Sequence, residues 1–140
     1  MPRAILDTDI LSEILKGVDQ QVMINGKEYM ATHDFLTITS VTIYEIITGL
    51  ERVNAYAKLI RTKELFKLND EIVPSSEDYI LAGQILGTLQ RNGRGVGFSD
   101  PLIASCAIRR GYSVITGNLR HFQYIRTAGF DLDLLNWRST

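Results

Sequence analysis

The sequence predicts an α/β fold in which a mostly parallel central sheet is covered by helices on both faces. Three observations support this prediction. Short apolar runs alternate along the chain with longer segments whose apolar side chains recur at helical spacing. Strands that are joined through helices pair in parallel by right-handed crossovers. The 140 residues, 45% of them hydrophobic, suffice for one compact domain, which we predict over residues 1–140.

The amino-terminal part predicts a strand that leads directly into a helix. The strand at residues 3–6 stops at Asp7, and helical spacing of apolar residues follows. Residues 18–34 are mostly polar and carry a turn signal at Asn25-Gly26. Several apolar side chains leave a second helix open as an alternative for this stretch: Val22, Ile24, Tyr29 and Met30.

The middle of the chain continues the alternation of strands and helices. Ser40 is a candidate cap for the helix that follows the second strand, and either Ser75 or Ser76 for the helix after Pro74. The predicted elements are, in order, a strand at 35–40, a helix at 41–50, a helix at 55–68, a strand at 71–73 and a helix at 77–90.

The carboxyl-terminal part begins with a glycine-rich loop at residues 91–97. Ser99 is a candidate cap for the next helix, and Pro101 favours a start there because it suits the first helical turn. The elements predicted after this loop are a helix at 100–110, a strand at 112–115, a short helix at 120–124 and a strand at 130–135.

Composition excludes a protein whose whole surface attracts nucleic acid. The chain has 15 Lys and Arg against 16 Asp and Glu, so any such binding requires a local basic patch. Cys106 is the single cysteine and cannot form an internal disulfide, which is typical of a reducing compartment. Residues 1–17 lack the apolar core of a signal peptide or membrane anchor, so we expect a cytoplasmic protein.

Four polar residues stand near strand ends or helix starts: Asp7, Glu45, Asp100 and Asn118. Loops that follow parallel strands converge on one crevice, so we expect these side chains to face a common cleft. Clustered carboxylates repel one another unless they share a proton or a hard divalent cation, and a Mg²⁺ or Mn²⁺ site is therefore the first hypothesis. Taken singly, each residue also has an ordinary use as a helix cap, an exposed acid or a turn amide.

The segments around these residues are Leu6-Asp7-Thr8-Asp9-Ile10-Leu11-Ser12-Glu13, Ser40-Val41-Thr42-Ile43-Tyr44-Glu45-Ile46, Asp100-Pro101-Leu102-Ile103-Ala104 and Thr116-Gly117-Asn118-Leu119-Arg120-His121-Phe122. In this order, and with the final Asn136-Trp137, they resemble PIN-domain ribonucleases. The resemblance is to the VapC toxins of bacterial type II toxin–antitoxin pairs. It spans nearly the whole chain, with the poorest match between Gly17 and Phe35.

The resemblance implies a three-layer α/β/α sandwich, Rossmann-like, with a central sheet of about five strands. It also implies an Mg²⁺- or Mn²⁺-dependent endoribonuclease that acts as a toxin and is neutralised by a cognate antitoxin. The expected partners are thus RNA, the antitoxin and a second copy of the chain. DNA would be contacted only through the antitoxin, and no membrane is involved.

The resemblance also assigns roles to particular residues. Asp7, Glu45 and Asp100 match the catalytic, metal-binding acids of the family. Asn118 stands where many members carry a fourth Asp, and is expected to be a catalytic residue in the outer shell of the metal. The hydroxyls expected to support the cluster are those of Thr8 and Thr116.

An acidic site that cleaves RNA requires positive charge at its rim to bind phosphates. The candidates lie in loops or short helices near the later acidic positions: Arg91, Arg94, Arg120, His121 and Arg126. Each of them also has the plain alternative of a solvated surface charge.

Two other functions compete with the nuclease. Asp7 and Asp9 nearly fit the signature of haloacid-dehalogenase-type phosphatases, in which the first Asp is the nucleophile and the second the acid/base. Leu11 departs from that signature, and no lysine follows Lys67 to serve as the one that this family requires. The other alternative is a non-catalytic, Rossmann-like binding module whose acids are helix caps.

Overall fold

The computed structural model describes residues 1–138, in which the chain forms five strands and seven helices. In order they are β1 (Ala4–Leu6), α1 (Thr8–Lys16), α2 (Gln20–His33), β2 (Thr37–Thr39), α3 (Ser40–Arg52), α4 (Tyr56–Phe66), β3 (Asp70–Ile72), α5 (Ser76–Arg91), α6 (Ser99–Arg110), β4 (Ser113–Ile115), α7 (Leu119–Thr127) and β5 (Leu134–Leu135).

The strands are parallel, as predicted. β4 lies between β1 and β5, and β2 pairs with β3. Because β2 lies beside β1, the strand order is β3-β2-β1-β4-β5. Hydrogen bonds join β1, β4 and β5 into one group and β2 and β3 into another. The carboxyl ends of these strands therefore meet at one edge of the sheet.

The hydroxyl of Tyr29 fills the gap between β1 and β2. This side chain is fully buried, and its oxygen lies 3.2 Å from the Ala4 nitrogen and 3.1 Å from the Ala4 carbonyl oxygen. It also lies 2.7 Å from Thr37 Oγ1. The phenol thus satisfies backbone groups of β1 that would otherwise be buried without a partner, since β2 forms no ladder with them.

Replacing Tyr29 with phenylalanine is expected to lower the free energy of unfolding by about 1 to 3 kcal/mol, because it leaves a buried backbone amide and carbonyl unsatisfied. Urea unfolding followed by circular dichroism measures this loss. Tyr44→Phe is the matched control, because the Tyr44 side chain is 74% exposed. Equal stability of the two variants would contradict this role for Tyr29.

The sheet divides the core into two layers, because successive side chains of a strand point to opposite faces. Ala4 and Leu6 of β1 pack with α1 and α2, whereas Ile5 packs with α5, α6 and α7. In the same way, Ile115 of β4 lies in the first layer and Val114 in the second. The predicted α/β arrangement with helices on both faces is confirmed.

The predicted turn at Asn25-Gly26 is wrong, and the alternative of a second helix is right. Asp19 caps α2 by accepting a hydrogen bond from the Val22 amide at 3.1 Å, and the helix continues through both residues. Gly26 is buried where a Cβ atom would lie 3.5 Å from the Ile14 side chain. The glycine therefore lies in a packed helix rather than in a turn.

Two of the predicted helix caps also differ. Thr39, not Ser40, caps α3 by accepting from the Thr42 amide at 3.4 Å. Helix α6 begins at Ser99 itself, with no side-chain cap, because the Ser99 hydroxyl bonds to Glu45 instead. Ser75 does cap α5, in a capping box with Asp78.

Several element ends shift by a few residues from the prediction. The last strand is reduced from 130–135 to two residues, and the short helix predicted at 120–124 extends to Leu119–Thr127. Cys106 is buried as a free thiol. Among residues 1–138, no helix combines the length and the apolar character needed to cross a membrane.

Candidate active site

Asp7 occupies the carboxyl end of β1 and is only 5% exposed. Its Oδ1 accepts a hydrogen bond from the Thr8 amide at 2.8 Å, so Asp7 is also the N-cap of α1. Its Oδ2 accepts from the hydroxyl of Thr116, directly after β4, at 2.9 Å. The Asp7 carboxylate is therefore bonded both to the start of α1 and to the residue that follows β4, the strand next to β1.

Burial, together with the charges of Asp9 and Asp100, raises the pKa of Asp7 to about 8, although the hydrogen bonds from Thr116 and Thr8 oppose this shift. Burial also raises the pKa of Asp100, with additional repulsion from Glu45 and Asp9, although His121 opposes this shift. The four carboxyl groups thus repel one another at the same edge of the sheet.

Hydroxyl groups connect α3 to this edge. Thr8 Oγ1 donates a hydrogen bond to Glu45 Oε1 at 2.6 Å and lies 3.0 Å from Thr42 Oγ1. Ser99 Oγ donates to Glu45 Oε2 at 3.1 Å. Glu45 therefore has both carboxylate oxygens fixed, one from α1 and one from the start of α6.

Asn118 is linked to Asp100 through the side chain of His121. His121 Nδ1 lies 2.9 Å from Asn118 Nδ2 and 3.2 Å from Asp100 Oδ2. The Asn118 backbone amide donates to Thr116 Oγ1 at 2.9 Å, and this hydroxyl in turn donates to Asp7. The structure thus brings together the predicted site residues Asp7, Thr8, Glu45, Asp100, Thr116 and Asn118.

Sequence reasoning omitted Asp9 from this cluster. Its Oδ2 accepts from the Gly117 amide at 3.0 Å and lies 3.5 Å from Arg138 Nη2, whereas its buried Oδ1 has no hydrogen-bond partner within residues 1–138. A Cβ atom at Gly117 would lie 2.8 Å from Asp9 Oδ2, so only glycine allows this approach. The available signal is the Asp7-Thr8-Asp9 spacing, which places a second acid on the first turn of the same helix.

A PIN-domain family model matches residues 4–127. The chain belongs to the PIN-domain family. This match covers all four acidic positions and the hydroxyls that bond to them.

Two curated relatives of this PIN domain are nucleases by name. The tRNA(fMet)-specific endonuclease VapC of Salmonella typhimurium is 30% identical over 126 residues, which cover 89% of this chain and 93% of the relative. Ribonuclease VapC1 of Haemophilus influenzae strain R2866 is 28% identical over 133 residues, covering 94% and 96%.

Solved structures agree with the family match. The PIN domain superposes with a TM-score of 0.80 on a chain of the DNA-bound VapBC of Salmonella typhimurium, at 27% identity and with 98% and 99% of the two chains covered. For a chain of VapBC-1 of nontypeable Haemophilus influenzae the TM-score is 0.77 at 26% identity, with 96% of this chain and 97% of that chain covered.

The donor set of the PIN domain suits a hard divalent cation. Its candidate ligands are carboxylate oxygens, and their mutual repulsion and the unpaired Asp9 Oδ1 would both be relieved by a positive ion. Among residues 1–138, no three His, Cys, Asp or Glu side chains are already close enough to hold one ion. Mg²⁺ suits such a site, because it typically uses one or two carboxylates and keeps several waters.

Three of the predicted phosphate-binding residues surround one pocket of about 490 Å³ beside the acids: Arg94, Arg120 and His121. Asn92, Gly93, Gly95 and Tyr124 complete its lining. Arg91 and Arg126 do not line this pocket, although both are exposed.

Proposed function

We propose that this PIN domain is an Mg²⁺- or Mn²⁺-dependent endoribonuclease that acts as the toxin of a type II toxin–antitoxin pair in the cytoplasm. The observation that carries the proposal is the convergence of Asp7, Asp9, Glu45 and Asp100. Burial and the repulsion between these acids together raise the pKa of Asp7 and of Asp100. Retaining four acids at one apolar sheet edge is unfavourable for folding and is explained by a cationic ligand. The nuclease names of the relatives support the same activity.

Asp7 and Asp100 are the direct ligands in this proposal. A bound divalent cation supplies Lewis-acid neutralisation of the phosphodiester and lowers the pKa of a water molecule. Glu45, held by Thr8 and Ser99, either binds the cation or accepts a hydrogen bond from the attacking water. Asn118 holds His121 beside Asp100 from the outer shell.

The antitoxin partner follows from the assemblies in which similar chains were solved, which are VapBC complexes. A groove of about 290 Å³ between α1 and α3 leads to Glu45 and offers Lys16, Arg52 and Lys58 at its rim. An antitoxin segment that enters this groove would cover the approach of RNA to Glu45.

The PIN domain is also expected to form a homodimer through α3 and α4. These helices leave large apolar side chains exposed to water. A dimer interface would cover them. The exposed fractions are 74% for Tyr44, 65% for Tyr56 and 57% for Ile60.

Asp100→Asn is expected to reduce RNA cleavage about 1000-fold, because it removes a metal ligand whose catalytic contribution is several kcal/mol. Cleavage of total RNA with Mg²⁺, with Mn²⁺ and with EDTA tests activity and metal dependence together. Asp131→Asn is the control, since Asp131 is an exposed acid outside the cluster. Full activity in EDTA would contradict the metal site, and no cleavage by the wild-type protein would favour the non-catalytic module.

A further inference from the structure

Two arginines next to the acidic cluster are held by an aromatic ring rather than by carboxylates. The guanidinium carbon of Arg94 lies 4.7 Å from the centre of the Tyr124 ring, and that of Arg120 lies 5.9 Å from it. Arg120 Nε also donates a hydrogen bond to the Tyr124 hydroxyl at 2.8 Å. Among the described residues, neither arginine forms an ion pair with an acid.

This arrangement differs from that of other arginines in the chain. Arg109 and Arg110 both pair with Asp78, and Arg3 pairs with Asp70. At Tyr124, by contrast, two positive charges are placed together without a neutralising acid, which is unfavourable until an anion binds. The Arg120 bond uses only Nε, and within residues 1–138 its two terminal nitrogens donate no other hydrogen bond.

The pocket in front of these arginines adjoins the acids. His121 lines it and also lies 3.2 Å from Asp100 Oδ2. Gly93, next to Arg94 in the lining of the same pocket, adopts a φ of 72°, a left-handed conformation that glycine accommodates readily. The rings of His121 and Tyr124 are inclined by 26° with 6.5 Å between their centroids, so Tyr124 lies near the histidine that contacts Asp100.

We propose that Arg94, Arg120 and Tyr124 form a phosphate clamp that holds single-stranded RNA beside the scissile phosphodiester. This inference rests on the proposed ribonuclease function and names the part of its substrate that the pocket binds. The planar guanidinium groups bind phosphate oxygens with two parallel hydrogen bonds each. Tyr124 is a positioning residue that orients the two arginines. Since phosphates carry no base identity, the clamp fixes the register of the RNA and not its sequence.

RNA affinity and its dependence on salt test the clamp. The probe is a short fluorescein-labelled single-stranded RNA, bound to full-length protein that carries Asp7→Asn to prevent cleavage, and followed by anisotropy over a range of NaCl concentrations. Arg94→Gln and Arg120→Gln are each expected to weaken binding about 5- to 10-fold. Each should also reduce the slope of log K against log salt by about 0.7, the value for one lost phosphate contact on a single strand.

Two further variants distinguish the positioning role of Tyr124 from the effect of the arginine charges. Tyr124→Phe keeps both arginine charges but removes the bond to Arg120, so it should weaken binding about threefold with an unchanged salt slope. Arg61→Gln is the matched control, because Arg61 is an exposed arginine on α4 that lies outside the pocket. Its affinity should remain within about twofold of the parent protein, since it contacts no phosphate in the clamp.

The clamp is wrong if Arg94→Gln and Arg120→Gln bind RNA as Arg61→Gln does, with the parent salt slope. It is also wrong if these variants keep their RNA affinity and lose affinity for the antitoxin, because the pocket would then bind protein. Failure of the proposed function gives a different result, namely no RNA cleavage by the wild-type protein with Mg²⁺ or Mn²⁺.

Discussion

Replacing Asp7 with asparagine is expected to abolish RNA cleavage and, at the same time, to stabilise the metal-free protein. Activity should fall on the order of 1000-fold, because the variant lacks one of the two carboxylates that we propose as direct metal ligands. Asparagine preserves the shape of the side chain and can still accept the bond from the Thr8 amide that caps α1. The loss of activity should therefore not result from unfolding.

The stabilisation follows from the raised pKa of Asp7. In the unfolded chain this carboxyl has its ordinary pKa of 3.8, whereas in the folded protein burial and the charges of Asp9 and Asp100 raise the pKa to about 8. The folded state consequently binds the proton more tightly, so stability decreases as pH rises from about 4 to about 8 and levels off above that. Asparagine has no charge to bury, and the variant should be more stable by about 2 to 5 kcal/mol at pH 8.

Urea unfolding of both proteins in EDTA, at pH 4.5 and at pH 8, measures this difference. The two proteins should be similar in stability at the lower pH and well separated at the higher one. Adding Mg²⁺ should then raise the unfolding temperature of the wild-type protein but not that of Asp7→Asn, because a ligand that binds only the folded state stabilises it. Asp131→Asn should behave like the wild-type protein in each measurement. An Asp7→Asn protein that is less stable than wild type at pH 8 would contradict this account.

The fold was predictable from the sequence wherever a local pattern determines the element. Residues 3–6 and 112–115 are predicted strands because their apolar or β-branched runs end at a polar residue or a turn, and both form parallel strands. Local patterns failed in α2, where Asn25-Gly26 indicated a turn. Gly26 is instead buried within the helix beside Ile14, and this position depends on the placement of a different helix.

The gap between β1 and β2 could not be predicted for a similar reason. It depends on the hydroxyl of Tyr29, which reaches Ala4 and Thr37 from a helix. In the sequence, this tyrosine is only one of several apolar residues in an ambiguous stretch. Nothing local indicates that its hydroxyl bonds to the backbone amide and carbonyl of Ala4 in place of a neighbouring strand.

The acidic cluster was predictable in its main residues, because parallel strands end at the same edge of a sheet. The spacing of Asp7, Glu45 and Asp100 relative to the predicted elements was sufficient to place them there. The hydrogen-bond partners of these acids were harder to predict from the sequence. Asp9 is held by Gly117 from 108 positions away, and Ser99, a candidate helix cap by sequence, bonds to Glu45.

A second acidic residue, Asp78, is expected to be the most important single ion-pair residue for stability. Its side chain is fully buried and accepts hydrogen bonds from Arg109 at 2.8 Å, from Arg110 at 2.9 and 3.0 Å and from the Ser75 amide at 2.8 Å. Burial acts to raise the pKa of Asp78, but these bonds, led by that from Arg110, hold it well below its usual range. The cluster joins the start of α5 to the end of α6.

Asp78→Ala should lower the free energy of unfolding by about 3 to 5 kcal/mol, because it leaves two arginines without their buried partner and removes half of the capping box of α5. The lowered pKa adds a dependence on pH. The folded state holds the proton less tightly than the unfolded chain, so this stabilisation is present above pH 4 and is lost as the pH falls further. Urea unfolding at pH 7 and at pH 3 should show the two proteins converging at the lower pH.

Glu77→Ala is the control for this prediction, because Glu77 also pairs with Arg109, at 2.6 Å, but its side chain is 74% exposed. An exposed pair contributes little, so this variant should unfold close to the wild-type protein. RNA cleavage per folded molecule should be unchanged in Asp78→Ala, since Arg109 lies about 14 Å along α6 from Asp100. An Asp78→Ala protein as stable as Glu77→Ala would show that Arg109 and Arg110 find other partners. The cluster around Asp78 would then not hold α5 against α6.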